Sequence, residues 1–248
     1  LTAPVLILDE TDSTNAEARR RAEAGEGGPL WITARRQTAG RGRRGRKWES
    51  ESGNLASTLL LLTRKSPAEA AQLTFAASLA VADLLDRYVP PALVTIKWPN
   101  DVLLNGRKTS GILIESGPAP SGGLWLAVGI GVNLSRTPGD TERPATCIAE
   151  HLGNGVVSPP TIEQAAQALA DTFGVWLDRW TTLGFQPILD AWIARTPGLH
   201  GPCTARLTNE TLTGVADGVE ADGSLRLKLL DGSLRIISAG DVFFGEAA

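Results

Sequence analysis

Cysteine is scarce in this 248-residue chain, with only Cys147 and Cys203, and methionine is absent throughout, position 1 included. Two cysteines cannot build the disulfide framework of a small secreted scaffold, so a reducing, cytoplasmic setting is expected. The missing methionine is what a trimmed start would leave. Histidine is almost as rare, at His151 and His200. Cys147-x3-His151 and His200-x2-Cys203 look like two halves of a zinc site, but they fall in different predicted domains without the usual short pairings, so no protein-bound metal is expected. The same scarcity leaves no Ser-His-Asp or Cys-His arrangement with supporting context, which argues against a covalent enzyme intermediate of that kind. No apolar run approaches the roughly 18 residues that span a bilayer, and Leu1-Thr2-Ala3-Pro4 lacks the basic flank and apolar stretch of a signal peptide, so no membrane association is expected. Nor is there an excess of positive charge. The 27 acids outnumber the 24 bases for a net charge of -3, and any basic site must be local.

What is present is ample apolar material, 42% of residues, enough for one large domain or one domain plus a small one. Val5 to Leu8 reads as a strand, and Thr14-Asn15-Ala16-Glu17 has the capping-box pattern of a helix running to about Ala24. Leu30 to Ala34 and Leu55 to Leu62 read as strands around an Arg/Gly segment with no regular period. Ser66-Pro67-Ala68-Glu69 opens a second helix, with Leu73, Ala77, Ala80, Leu84 and Tyr88 at helical spacing. A β meander follows: Val94 to Trp98, Val102 to Leu104, a type-I′ turn at Asn105-Gly106, a return from Lys108 to Glu115, and Leu124 to Leu134. Thr161 and Gln164 cap a long helix that carries Phe173, Trp176 and Trp180 on one face. Past a boundary near Pro197-Gly198, four short strands joined at Asp222-Gly223 and Asp231-Gly232 predict a small antiparallel barrel.

Arg35 to Lys47 holds seven bases and no acid, which leaves the rest of the chain at -10. Gly40-Arg41-Gly42-Arg43-Arg44-Gly45 formally matches the G-x-G-x-x-G fingerprint, yet no helix follows to receive a pyrophosphate, and no Gly-Lys-Ser/Thr completes a P-loop. The physical reading is a flexible loop whose glycines allow close backbone approach while guanidinium forks grip carboxylate or phosphate oxygens. A solvated basic loop is the plain alternative. A nucleic-acid patch, with Trp48 stacking on a base, is another, weakened by the acidic remainder of the chain.

Gln37 to Trp48, taken with Lys97-Trp98-Pro99-Asn100-Asp101, strongly resembles the bacterial biotin-protein ligases. Asp12-Ser13-Thr14-Asn15 upstream, and Lys108 to Leu113 and Gly129-Ile130-Gly131-Val132-Asn133 downstream, occur in the family's order. These five ordered motifs extend across about half the chain. The resemblance implies an α/β fold, a mixed sheet flanked by helices as in class II synthetase-like biotin/lipoyl ligases, over 1–197, and a small SH3-like β-barrel over 198–248. It implies that biotin and ATP react to biotinyl-5′-adenylate, after which a lysine of a biotin carboxyl carrier protein, an acetyl-CoA carboxylase subunit or part of another biotin-dependent carboxylase, takes the biotinyl group.

The implied site follows residue by residue. Lys108 would bridge the biotin carboxylate and the α-phosphate, with Arg41 and Arg43 as partners from the loop and Arg46 beside them. Gly40 and Gly42 would let that loop close over a water-sensitive adenylate. Biotin's neutral ureido ring needs hydrogen bonds, which Ser13, Thr14, Asn15 and Gln37 can supply, while Ser13 and Thr14 also suit a plain helix cap. Gly111, Gly129 and Gly131 interrupt strands where a side chain would meet a ligand, or else mark a bulge or tight packing. Trp48 would cover the adenylate or pack in the core. Asp101 would hold magnesium arriving with ATP or orient the carrier lysine, Lys97 would meet phosphate, and Asn133 would contact the nucleotide or satisfy a strand end. Thr109 departs from the family's usual aliphatic residue, which bears on packing beneath Lys108. No helix-turn-helix precedes Val5, so DNA repression is not expected. Dimerisation through the central sheet is an expectation by family analogy.

Overall fold

The structure, a computed structural model, describes residues 3–50, 52–139, 141 and 144–245. Leu1 and Thr2 of the expected N-terminal start, and residues 246–248 of the expected small domain, lie outside the described residues.

Seven strands form one mixed sheet: β1 Val5–Thr11, β2 Leu30–Gln37, β3 Leu55–Thr63, β4 Val94–Lys97, β5 Asp101–Leu104, β6 Arg107–Pro118 and β7 Leu124–Val132. Their order is β1-β2-β3-β7-β6-β5-β4, with β1 and β2 parallel and every other neighbour antiparallel. The β5–β6 hairpin turns at Asn105 and Gly106, both at positive φ (51° and 73°), the type-I′ requirement that Asn-Gly meets with least strain.

The two faces of the sheet are covered unequally because strand side chains alternate. Helix α1 (Thr14–Glu23) packs Ala18 and Ala22 on one face, over Ile32, Leu60 and Ala127. The other face carries Trp31, Leu59, Leu61 and Val128 and packs against α3 (Leu73–Leu85), α4 (Ile162–Leu183) and α5 (Gln186–Ala194), with Trp31 edge-on to Phe173. As expected, Phe173, Trp176 and Trp180 are core residues. The predicted capping boxes form at Ser66/Glu69, ahead of α2 (Pro67–Ala71), and at Thr161/Gln164. The one expected at Thr14 does not. Ser13 takes the N-cap position without a side-chain bond, and Gln37 of β2 accepts from Thr14 N at 2.8 Å instead. The expectation of no bilayer-length apolar stretch also needs correction. Pro67–Leu85 is long and apolar enough by length and composition, and it is spent on the core: 67% of its apolar window is buried within the molecule.

The last strands, β8 Pro202–Arg206, β9 Thr211–Val219, β10 Leu225–Leu229, β11 Leu234–Ile237 and β12 Asp241–Phe244, form an antiparallel sheet ordered β11-β10-β9-β8-β12. Both α5 and β12 escaped the sequence reading; they are short, although Pro187 opens one and Gly240 and Gly245 flank the other. The two sheets share one apolar core. Cys203, Ala205, Leu225 and Val242 belong to the cluster that contains α3 and α5, and Trp98 Nε1 donates to Gly223 O at 2.9 Å. Burial pushes the Cys203 thiol up to about 11, so it stays protonated and unreactive at neutral pH. Alkylation at pH 8 is expected to modify Cys203 only after denaturation, and rapid native-state labelling by mass spectrometry would contradict that.

Candidate active site

On the face covered by α1, bulk gives out just beyond the helix start. Two cross-strand rows there read Thr58–Gly129–Leu113 and Ala56–Gly131–Gly111–Asp101. Three glycines and an alanine leave the sheet backbone bare, and a cleft open to solvent at its mouth lies over them. Of the expected readings of these glycines, tight packing describes their immediate neighbours, and all three also line the cleft. A Cβ at Gly129 would stand 2.2 Å from Asn15 Oδ1, and one at Gly131 would stand 2.3 Å from the Trp48 indole; at Gly111 it would meet Trp48 and Lys108 Nζ, both at 3.2 Å. The glycines seat the cleft's own side chains. Gly129→Ala is accordingly expected to destabilise the fold by about 1–3 kcal/mol, the cost of overpacking against an amide that cannot retreat; an unchanged thermal midpoint would refute this.

One end of the cleft is polar and largely neutral. Gln37 receives Thr14 N and lies 3.2 Å from Thr14 Oγ1, and its amide donates to Ser50. Thr58 Oγ1 lies 2.7 Å from both Thr14 Oγ1 and Asn15 Oδ1. Asn15 donates to Leu113 O and to Glu115 Oε2. Beneath this end, Arg20 grips Asp12 at 2.8 and 2.9 Å and holds its carboxyl well below the usual carboxylate range, which fixes the turn into α1.

One strand step away the cleft is cationic. Lys108 leaves β6 at a bulge against β5, and its ammonium lies 2.6 Å from the Asp101 carboxylate and 5.7 Å from the Trp48 ring centroid. The bulge leaves Thr109 fully buried beneath it, joined through its carbonyl to Asn133 N. The arginine loop folds back on itself: Trp48 N bonds Gly40 O, Gly42 N bonds Arg46 O, and a short 3-10 turn occupies Arg43–Gly45. Arg43 donates to Asn100 Oδ1 (2.8 Å) and Gly240 O (3.2 Å), and burial lowers its pKa from the ordinary arginine value. Asp241 of the second sheet pairs with Arg44 and Arg46. The basic run is thus largely neutralised in place, since Arg35 pairs with Asp9 and Glu163, Arg36 with Glu10, and Arg41 with Glu115.

Residues 7–135 match the biotin/lipoate A/B protein ligase family, and residues 202–245 match the biotin protein ligase C-terminal domain. The chain belongs to the biotin/lipoate A/B protein ligase family. It is 44% identical over 243 residues to the biotin–[acetyl-CoA-carboxylase] ligase of Paracoccus denitrificans, covering 96% of this chain and all of that one. It is 32% identical to the bifunctional ligase/repressor of Bacillus subtilis (strain 168), over 95% of this chain and 72% of that one. The fold matches a biotin protein ligase from Aquifex aeolicus in complex with biotin and ATP, with a TM-score of 0.80, 24% identity and coverage of 98% and 99%. It also matches the Leishmania major enzyme in complex with biotin, with a TM-score of 0.63, 26% identity and coverage of 96% and 99%. The five-stranded C-terminal sheet fits the family's SH3-like module.

Most residues expected from the ligase motifs do converge. Ser13, Thr14, Asn15, Gln37, Arg41, Gly42, Arg43, Arg46, Trp48, Asp101, Lys108, Gly111, Gly129 and Gly131 all line the cleft. Three do not. Gly40 sits behind the wall, where a Cβ would meet Trp48 O at 2.5 Å, so it closes the loop. Asn133 is buried and donates to Thr146 O, tying a strand end. Lys97 lies over the Phe243 ring and borders a second cleft, which Asp101 and Lys108 also reach. The reading missed Asn100, Glu115 and Asp241. Asn100 was legible inside Lys97-Trp98-Pro99-Asn100-Asp101, whereas nothing local marks Asp241.

Proposed function

We propose that this cleft brings the carboxylate of biotin to the α-phosphate of ATP, with its neutral polar end holding the ureido ring and its cationic end the reacting charges. The chain is an ATP-dependent biotin–[carrier protein] ligase that forms biotinyl-5′-adenylate and passes biotin to a lysine of biotin carboxyl carrier protein. The observation that carries the residue assignment is the placement of Asn15, Trp48 and Lys108 along one bare stretch of sheet, against Gly129, Gly131 and Gly111.

The carboxylate oxygen forms a bond to the α-phosphorus, and the bond to the β-phosphate oxygen breaks, releasing pyrophosphate. Two anions must approach, and Lys108 and Arg43, on a β bulge and a braced loop, are positioned before they do. Arg41 and Arg46 supply further guanidinium on the loop, with Gly40 as its close-packed turn and Gly42 bonded to Arg46 across it. Ser13, Thr14, Asn15 and Gln37 face the ureido ring, and Trp48 covers the adenylate. The carrier's amine then attacks the acyl carbon and AMP leaves. Asp101 borders both clefts, which suits orienting that amine or holding Mg2+ brought by ATP, an ion that favours one or two carboxylates together with phosphate oxygens. Asp101 and Asp241 put such carboxylates in the cleft. Lys97 meets phosphate from the second cleft, and Asn133 acts through the strand end beneath Lys108. Residues 1–197 are the ligase domain and 198–248 the C-terminal domain of a cytoplasmic homodimer that does not bind DNA.

ATP–pyrophosphate exchange with biotin, lipoate or no acid tests the first half-reaction. Biotin-dependent exchange supports the assignment, and exchange with lipoate alone overturns the choice of acid.

A further inference from the structure

Glu115 belongs to none of the motifs above, yet it joins the two halves of the cleft. It stands on β6 opposite Ala127, on the face that α1 covers. One carboxylate oxygen accepts from Asn15 Nδ2 at 2.8 Å, and the other lies 3.4 Å from Arg41 Nη2. Asn15 is the better anchored of the two partners: Leu113 O takes its second amide proton and Thr58 approaches its Oδ1, so both donors are committed to protein. Glu115 thereby ends a polar chain through Gln37, Thr14, Thr58 and Asn15, and hands it to a guanidinium on the arginine loop. Across the loop, Asp241 holds Arg44 and Arg46. The loop is held by a carboxylate on each side.

We propose that Glu115 is a positioning residue that couples the acid-binding floor of the cleft to the arginine loop, orienting the Asn15 amide from one oxygen and Arg41 from the other. The proposal rests on the ligase reading above. Because the two oxygens serve different partners, the two functions separate by substitution. In Glu115→Gln an amide oxygen remains to accept from Asn15, while the charge that holds Arg41 is lost. In Glu115→Ala both are lost.

The test measures the KM for ATP in exchange and the Kd for biotin by calorimetry, on full-length protein of matched thermal midpoint. Glu115→Gln is expected to raise the ATP KM about 2- to 5-fold, the worth of a half-exposed ion pair, with the biotin Kd unchanged. Glu115→Ala is expected to repeat that rise and to weaken biotin about tenfold, the worth of one hydrogen bond to a charged acceptor. Glu115→Gln in the Arg41→Gln background is expected to add nothing further to the ATP KM, because the guanidinium that Glu115 positions is already gone. Equal behaviour of the Gln and Ala variants, wild-type values in both, or additivity of Glu115→Gln with Arg41→Gln would overturn the proposal. Should Glu115→Ala not fold, the Gln variant and the cycle with Arg41 decide it. Absence of biotin-dependent exchange in the wild type would instead overturn the ligase reading, so the two failures are distinguishable.

Discussion

Lys108→Ala is expected to slow biotinyl-adenylate formation by about 10²- to 10³-fold while the chain remains folded. The factor is what one preorganised charged donor, aimed at developing charge in a partly dehydrated site, contributes. Lys108 has that character: its position is set by the β5–β6 bulge, its ammonium is held by Asp101, and its side chain is 29% exposed. The variant leaves the Asp101 carboxylate, 7% exposed, without its ammonium, and this costs about 1–3 kcal/mol of stability. For a chain of this length that lowers the thermal midpoint by several degrees without unfolding it at 25 °C. Exchange assays and thermal unfolding on the same preparation check both parts. Full turnover in the variant would remove Lys108 from the mechanism. Lys108→Arg is expected to recover stability more than rate, because a planar fork does not replace a compact ammonium at one point.

Arg43→Gly is expected to slow pyrophosphate exchange, since a charge beside Lys108 is lost, and to let the adenylate that does form escape, so that lysines of bystander proteins become biotinylated. Arg43 braces the loop on both sides, through Asn100 in the turn between β4 and β5 and through the Gly240 carbonyl just ahead of β12. Glycine removes both bonds and adds backbone freedom beside Gly42 and Gly45, so the loop spends more time open over a reactive acyl phosphate. Mass spectrometry of a bystander protein incubated with biotin, ATP and the variant measures the leak. Labelling confined to the carrier lysine would show that Arg43 does not guard the intermediate.

The legible parts of this protein are those with local causes. Asn105-Gly106 dictates its turn, Ser66/Glu69 and Thr161/Gln164 cap their helices, and the run from Gln37 to Trp48 carries its own glycine and arginine chemistry. Where a local rule competed with a distant partner, the partner won. The Thr14-to-Glu17 pattern looks like a capping box, yet Gln37, 23 residues away, takes the Thr14 amide and leaves Ser13 facing the cleft. Likewise, seven bases in thirteen residues read as a free cationic patch until the fold brings Glu163, Glu115 and Asp241 to them.

By itself the sequence determined the family, the strand and helix inventory around the motifs, and which side chains were available for neutralising two anions. Hydrophobic period, turn chemistry and motif order are all properties of neighbours in the chain. Only the tertiary structure decided that the three glycines seat Asn15, Trp48 and Lys108 and that Lys97 and Asn133 lie outside the main cleft. It alone showed that Glu115 and Asp241 hold the arginine loop from opposite sides. The reason is geometric: Arg43 meets Gly240 across 197 residues and Asn15 meets Glu115 across 100, and such contacts exist only once strand register has fixed which faces coincide.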